Sequence, residues 1–383
     1  VTELFHIAAA AMTRVLTPGA TARVLADVLL AGFDPEAAPP RTSVPVPAGE
    51  LLLMPAAFGP LAGVKIAGVA PGNPALGLPR ITGSYLLLDG ANLQPLALLD
   101  GAALTELRTP AVSALAVHHL TPDDRPRRLV LFGTGPQAYG HLEAVLAVRR
   151  ISEAIVVGRD PIAARALAGY ARTLGATART GTPEDVATAD LVVCCTTARE
   201  PLFDGTLVAP GATVVAVGSH EPEARETDTA LVARADVYVE ARAAALREAG
   251  DLLVPLAEGA IGPEHIAGTL ADLVRGHRGP TTDRPMFFKS ASPAPSTRRS
   301  ARPDHPSSPQ RRTPRPRTRG TGAFRRGLSP SRGSGRRPPA PRRRRRRAAA
   351  GPRCGRSPGP WDSVGGRCSQ AGERPGSAGP RAG

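Results

Sequence analysis

Residues 128 to 138, Arg-Leu-Val-Leu-Phe-Gly-Thr-Gly-Pro-Gln-Ala, run from a short apolar strand through a glycine-bearing turn into a helix. Gly133 permits a tight turn, Gly135 removes a side chain where backbone must approach a bound group, and Ala138 lets the helix pack close to the strand. Ala138, Leu142, Val145 and Leu146 recur at helical spacing through the stretch 137–149, so the free N–H groups of that helix start point at the turn. Gly-x-Gly-x-x-Ala between strand and helix is the arrangement that receives a dinucleotide pyrophosphate, and it points to a redox enzyme. The competing reading of the same residues is a packing turn in another α/β fold.

Alternation continues downstream. Ile155 to Val157 reads as a second strand, and Asp160-Pro161 as an N-cap followed by proline at the first helical position. Ile162, Ala166, Leu167, Tyr170 and Leu174 give that helix a buried face, and Thr182-Pro183 repeats the capping device. Asp190 to Cys195, Ala212 to Val217 and Asp236 to Glu240 are further strands. Strands separated by helices of this length imply a parallel, doubly wound α/β sheet. Residues 1–112 read differently, with a helix over Thr21 to Phe33 and short strands, Glu50 to Met54 and Tyr85 to Leu88 among them, punctuated by Pro and Gly. They predict a separate mixed α+β domain forming the other wall of a cleft, with the cofactor domain over 113–289.

Charge divides the chain more sharply than length does. Residues 1–289 carry a net charge of −6, whereas residues 290–383 carry +21 with 24 basic residues, all Arg, and 3 acidic ones. The tail is otherwise Pro, Gly, Ser and Ala with isolated apolar residues, and a composition of this kind predicts disorder. Such a tail can contact nucleic acid through phosphates, but no ladder of aromatics is interleaved for stacking on bases. Arg, Pro, Gly and Ala are what GC-rich codons spell in almost any frame, so an out-of-frame translation is favoured over a genuine basic arm. No apolar run is long enough for a membrane span and the start has no basic leader, which makes the cytoplasm the expected location. Adjacent Cys194 and Cys195 on a strand face opposite ways and suit neither a disulfide nor zinc; they are expected to be packing residues, with a weakly reactive thiol as the alternative.

Lysine occurs only at 65 and 289. An ammonium can change protonation state when buried where a guanidinium cannot, and Gly63-Val-Lys65-Ile-Ala-Gly is an apolar setting, although a snorkelling surface lysine fits the composition as well.

The segment 41–289 resembles the ornithine cyclodeaminase and mu-crystallin family. The matching stretches are Pro-Pro-Arg41-Thr, Glu50-Leu-Leu-Leu-Met54-Pro55, Gly63-Val-Lys65, Leu98-Leu-Asp-Gly101, Leu104-Thr-Glu-Leu-Arg108-Thr109, Gly133-Thr-Gly-Pro-Gln137-Ala138, Cys195-Thr196-Thr197 and Phe287-Phe-Lys-Ser290, in order. The resemblance implies a Rossmann domain beside a substrate-binding, dimerising domain, a homodimer, and a small amino or imino acid substrate used with a nicotinamide cofactor. By that resemblance Arg41, Lys65 and Arg108 converge on the substrate carboxylate, with Lys65 also exchanging a proton. Thr109, Gly133, Thr134, Gly135, Pro136, Gln137, Ala138, Thr196, Thr197 and Gly218 are implied to line the cofactor. No metal is implied.

Two departures bear on the reaction. Leu52 stands where cyclodeaminases carry an acidic residue for a distal ammonium, and His220 stands where they carry an aspartate base. Both changes remove the complement to a diamine and favour reduction of an imine bearing an adjacent carboxylate, with His220 as an acid or base or as a hydrogen-bonding group only. Ornithine cyclodeaminase activity and a non-catalytic crystallin-like binder are the alternatives. Arg159 at the end of the second strand favours NADP over NAD, because arginine there can pair with a 2′-phosphate. In the family the Phe-Lys-Ser segment continues into a helix, whereas this chain reads Ser290-Ala-Ser-Pro293.

Overall fold

In the computed structural model, which describes residues 4–219, 221–280 and 283–290, two sheets are joined by one long helix. The expected tail falls outside the described residues, apart from Ser290. The first sheet contains β1 (Phe5–Ile7), β2 (Thr42–Val46), β3 (Gly49–Phe58), β4 (Leu61–Val69), β5 (Ile81–Asp89) and β6 (Pro95–Asp100), in the order β1-β6-β5-β4-β3-β2. Its pairs are antiparallel except β1 with β6. Leu52 opposite Ala67 and Met54 opposite Lys65 put all four side chains on one face, and Leu52, Ala67 and Val69 form a small buried cluster with Met54 against it.

Helices α1 (Ala9–Val15) and α2 (Pro18–Leu30) lie between β1 and β2. The second starts earlier than the sequence pattern suggests, because Thr17 caps it by accepting from Ala20 N and Pro18 takes the first helical position. Helix α3 (Gly101–Leu120) follows β6, capped by Asp100, which accepts from Ala102 N and Ala103 N. It runs through residue 112 and is apolar on nearly all sides over its second half, as a helix enclosed by other elements must be.

The second sheet has β7 (Arg127–Phe132), β8 (Ile151–Val157), β9 (Ala178–Thr180), β10 (Leu191–Cys194), β11 (Thr213–Ala216), β12 (Asp236–Val239), β13 (Ile266–Thr269) and β14 (Met286–Lys289). Its order is β13-β12-β14-β11-β10-β7-β8-β9, parallel throughout. This is the expected doubly wound sheet, with its strand order reversing between β7 and β10, and β14 inserted between β11 and β12. Helices α4 (Pro136–Val148), α5 (Pro161–Thr173), α6 (Thr229–Arg234), α7 (Arg242–Glu248), α8 (Gly250–Ala257) and α9 (Leu270–Val274) complete it. Val130, Phe132, Val192, Val214, Val237 and Phe287 come from strands across the sheet into one fully buried core. Where α3 meets α4, an added Cβ on Gly140 would stand 2.8 Å from the Pro110 ring, so the glycine makes the notch that the proline fills. Among the described residues no helix is long and apolar enough to cross a membrane.

Candidate active site

Gly133 has φ +111°, a conformation that L side chains rarely adopt, and a Cβ there would lie 2.5 Å from the Cys195 carbonyl oxygen. The turn after β7 therefore rests directly against the chain leaving β10, and Thr196 is its next neighbour. Gly218, after β11, is equally enclosed: its Cβ would fall 1.8 Å from Thr196 O. Gly133, Thr196 and Gly218 thus lie in a row along the carboxyl ends of three adjacent strands, at the reversal point where open α/β sheets bind ligands.

Gly135 differs from its neighbour. It is the N-cap of α4, followed by Pro136, and an added Cβ would meet nothing within 4 Å. Packing does not require a glycine here, so its missing side chain leaves open space in front of a helix amino terminus, the cradle a pyrophosphate needs. Gln137 Oε1 is buried without a hydrogen-bond partner among the described residues, an acceptor that a bound dinucleotide can satisfy. Ala138 is fully buried. Thr134 lies over Gly158, whose Cβ would come within 2.6 Å of the threonine methyl. Arg159 follows, exposed at the carboxyl end of β8, while Asp160 accepts from Ile162 N as the cap of α5. These residues fit a dinucleotide.

The cationic residues come from the other sheet and from α3. Thr42 pairs with Leu53, and Met54 with Lys65, so Arg41, just before β2, and Lys65 fall in the same cross-strand row two strands apart. Lys65 Nζ donates to Thr105 Oγ1, which itself donates to Gly101 O at 2.7 Å. Burial, reinforced by the nearby Arg108 charge, lowers Lys65 from 10.5 to about 8. Arg108, one turn beyond Thr105 on α3, has its pKa lowered by burial and raised by Glu240, whose carboxylate lies 3.8 Å away. Glu240 also accepts from Ser290 Oγ, and Ser290 N donates to Ala216 O at 3.0 Å, which brings Arg108 to the carboxyl edge of the second sheet. Arg41 pairs with Glu248 of α7 at 2.9 Å, and burial is the main influence lowering its pKa. Thr109, on α3 beside Arg108, is buried, while Thr197 is exposed beside Thr196.

Lys65 and Arg108 are thus brought together, and both sheets contribute charge to the edge that carries the glycine row. His220 lies outside the described residues. Leu52 is 1% exposed, so a distal ammonium directed at it would meet hydrocarbon. Burial pushes the thiols of Cys194 and Cys195 well above their ordinary value, in keeping with packing residues. Among the described residues no cluster of His, Cys, Asp or Glu is placed to hold a metal.

Sequence reading missed Thr105, Glu240 and Glu248 as partners of the cations. It also missed a buried polar cluster of Glu226, Asp251 and Lys289. The scarcity of lysine was the one available signal, and it pointed at Lys289 without naming its partner.

The model of the ornithine cyclodeaminase/mu-crystallin family matches residues 21–290. A Delta(1)-pyrroline-2-carboxylate reductase of Colwellia psychrerythraea is 36% identical over 223 residues, covering 57% of this chain and 70% of that protein. Ketimine reductase mu-crystallin of Mus musculus is 34% identical over 258 residues, 66% of this chain and 79% of its own length. The structure of Thermococcus litoralis Delta(1)-pyrroline-2-carboxylate reductase in complex with NADH and L-proline superposes with a TM-score of 0.70 at 28% identity, over 75% of this chain and 92% of that one. With the glycine row, the cation cluster and the topology in agreement, the chain belongs to the ornithine cyclodeaminase/mu-crystallin family.

Proposed function

We propose that this protein is a nicotinamide-dependent reductase of a small cyclic imine or ketimine that bears an adjacent carboxylate, reversible as an amino acid dehydrogenase. The observation that carries the reading is Lys65: an ammonium with a pKa lowered to about 8, bonded to Thr105, beside Arg108 and near a dinucleotide-shaped edge. Relatives named as pyrroline-2-carboxylate and ketimine reductases support it.

Arg41 and Arg108 hold the substrate carboxylate, each able to offer parallel charge-assisted hydrogen bonds. Both already face a carboxylate, Glu248 and Glu240, so the substrate enters a pocket whose charge is partly balanced and must share or displace those partners. Lys65 delivers a proton to the imine nitrogen, for which a pKa near neutrality is well matched. A dihydronicotinamide held by Gly133, Gly135, Gln137 and Thr196 would supply the hydride chemistry for the C=N carbon. Leu52 and Met54 put hydrocarbon on the face of the first sheet that also carries Lys65, a setting that suits a ring or short side chain better than a second ammonium.

Arg159 supports NADP over NAD, since it occupies the end of β8 where a 2′-phosphate would lie and Asp160 is engaged as a helix cap. In this reading residues 1–112 form the substrate and dimerisation half and 113–289 the cofactor half. Val44 and Val46 are exposed apolar residues of the edge strand β2, and a homodimer formed through that strand would cover them. In this reading the protein works in the cytoplasm.

Steady-state assays with pyrroline-2-carboxylate and piperideine-2-carboxylate test the proposal. Oxidation of NADPH that depends on the imino acid is expected. A folded protein that never oxidises NADPH or NADH with either compound refutes it, and ammonia release from ornithine without net cofactor turnover would establish the cyclodeaminase alternative.

A further inference from the structure

Behind the glycine row lies a group of ionisable side chains that the proposed chemistry does not use. Glu226 is fully buried, and its carboxylate accepts from Thr196 N and Thr196 Oγ1 at 2.7 Å each, from Val217 N at 3.0 Å and from Gly218 N at 2.6 Å. One side chain thereby ties the loop that leaves β10 to the loop that leaves β11. Asp251 of α8, also fully buried, accepts from Glu226 N at 2.8 Å, Thr227 N at 2.9 Å and Thr227 Oγ1 at 3.0 Å. Its other oxygen lies 3.0 Å from Lys289 Nζ at the end of β14, again fully buried. Two glycines allow this crowding, for a Cβ on Gly218 would strike Thr196 O, and one on Gly250 would lie 2.0 Å from Ala224 O.

We infer that Glu226 is a positioning residue for the dinucleotide site, fixing Thr196 and Gly218 as one rigid lip beside Gly133, with Asp251 and Lys289 holding Glu226 in place from behind. The inference rests on the reading of that edge as a cofactor site. Four donors converge on one carboxylate, and only the ionised form offers lone pairs to all of them. Burial and the neighbouring Asp251 charge raise the pKa of Glu226 overall, while the Lys289 charge and the hydrogen bonds from Gly218 and Thr196 oppose that shift and favour the carboxylate. Lys289 therefore gives this otherwise acidic pocket its cation. Thr196 adjoins Gly133, so any loosening of Thr196 is felt at the turn that would receive the pyrophosphate.

The test compares Glu226→Gln, Thr196→Val and Leu167→Ala, the last truncating a fully buried side chain on α5, which carries none of these groups. NADPH and NADH affinities are read directly from the fluorescence of the bound dihydronicotinamide, beside thermal unfolding and the separate KM values for cofactor and imino acid. Replacing the carboxylate by an amide removes acceptors for charge-assisted bonds, so Glu226→Gln is expected to weaken cofactor binding by about tenfold or more. The KM for the imino acid should stay within about twofold, as the residues taken to bind it are untouched. Leu167→Ala should lower the melting temperature while leaving cofactor affinity unchanged. If Glu226→Gln does not fold, Thr196→Val carries the test, with a cofactor affinity several-fold weaker and the same split between the two KM values. Wild-type affinity in the folded Glu226 and Thr196 variants, or an equal loss in Leu167→Ala, overturns the inference while leaving the functional reading intact. Failure of the unaltered chain to bind either dinucleotide overturns both.

Discussion

Thr105→Val isolates the hydrogen bond through which α3 controls the proton on Lys65. Burial and the Arg108 charge move Lys65 from 10.5 to about 8, which corresponds to about 3 kcal/mol against the ammonium. Reduction needs that ammonium as the proton donor, so kcat/KM for the imino acid is full below the Lys65 pKa and declines as pH rises through about 8. Thr105 Oγ1 accepts from Lys65 and so favours the charged form; valine keeps the shape and removes the acceptor. Hydrogen bonds to charged groups contribute about 1.5–3 kcal/mol, and discounting for a lysine that is only partly buried leaves about 1 kcal/mol. The alkaline limb of the Thr105→Val profile should therefore lie lower by about 0.5–1 pH unit. The assay is kcat/KM for pyrroline-2-carboxylate at saturating NADPH, measured across the neutral and alkaline range for both proteins. An unmoved limb, a limb displaced upward, or a wild-type limb near the ordinary lysine value would refute this account of Lys65.

Other perturbations probe the remaining parts of the site. Lys65→Ala should abolish reduction while leaving NADPH affinity within about twofold, measured by fluorescence titration, because the lysine serves substrate rather than cofactor; unchanged turnover would favour a binding protein over a catalyst. Arg159→Ala should reduce the preference for NADPH over NADH by about tenfold in kcat/KM, the scale of one lost charge-assisted contact. Gly133→Ala forces a Cβ into the Cys195 carbonyl at positive φ and should cost about 1–3 kcal/mol, seen as a lower melting temperature, whereas Gly135→Ala should melt like wild type yet bind cofactor more weakly. Cys194 and Cys195, both pushed well above the ordinary thiol range, should resist alkylation at neutral pH until the protein unfolds.

Local chemistry explains which parts of this architecture can be read from the chain. The strand, turn and helix around Gly133 are legible because each residue answers a nearby constraint: a positive φ, a close carbonyl and a helix start. Asp160-Pro161 and Thr182-Pro183 are legible for the same reason; the first caps α5, and the second opens a short 3-10 turn with a reciprocal bond to Asp185. Helix α3 is not, since Pro110 lies inside it and enclosure by other elements removes the polar face that marks a helix. The placement of β14 between β11 and β12 depends on the whole sheet, although Phe287-Phe-Lys-Ser290 stands out as a motif. Glu226 reaches back 30 residues to Thr196, and Arg41 finds Glu248 from the far end of the described sequence, pairings that no spacing in the chain announces. Family resemblance supplied the expectation that Arg41, Lys65 and Arg108 converge on a carboxylate; the structure adds Glu248 and Glu240 as partners of the two arginines and Thr105 as that of Lys65.

In the proposed reaction the nicotinamide's hydride leaves the cofactor and stays in the product. The most direct test of that transfer is reduction of pyrroline-2-carboxylate with NADPH deuterated at the transferable position, followed by mass analysis of the proline formed. One deuterium retained at the α-carbon for each NADPH consumed is the expected result. Proline free of deuterium, or ammonia released from ornithine with the deuterium returned to the cofactor, would contradict it.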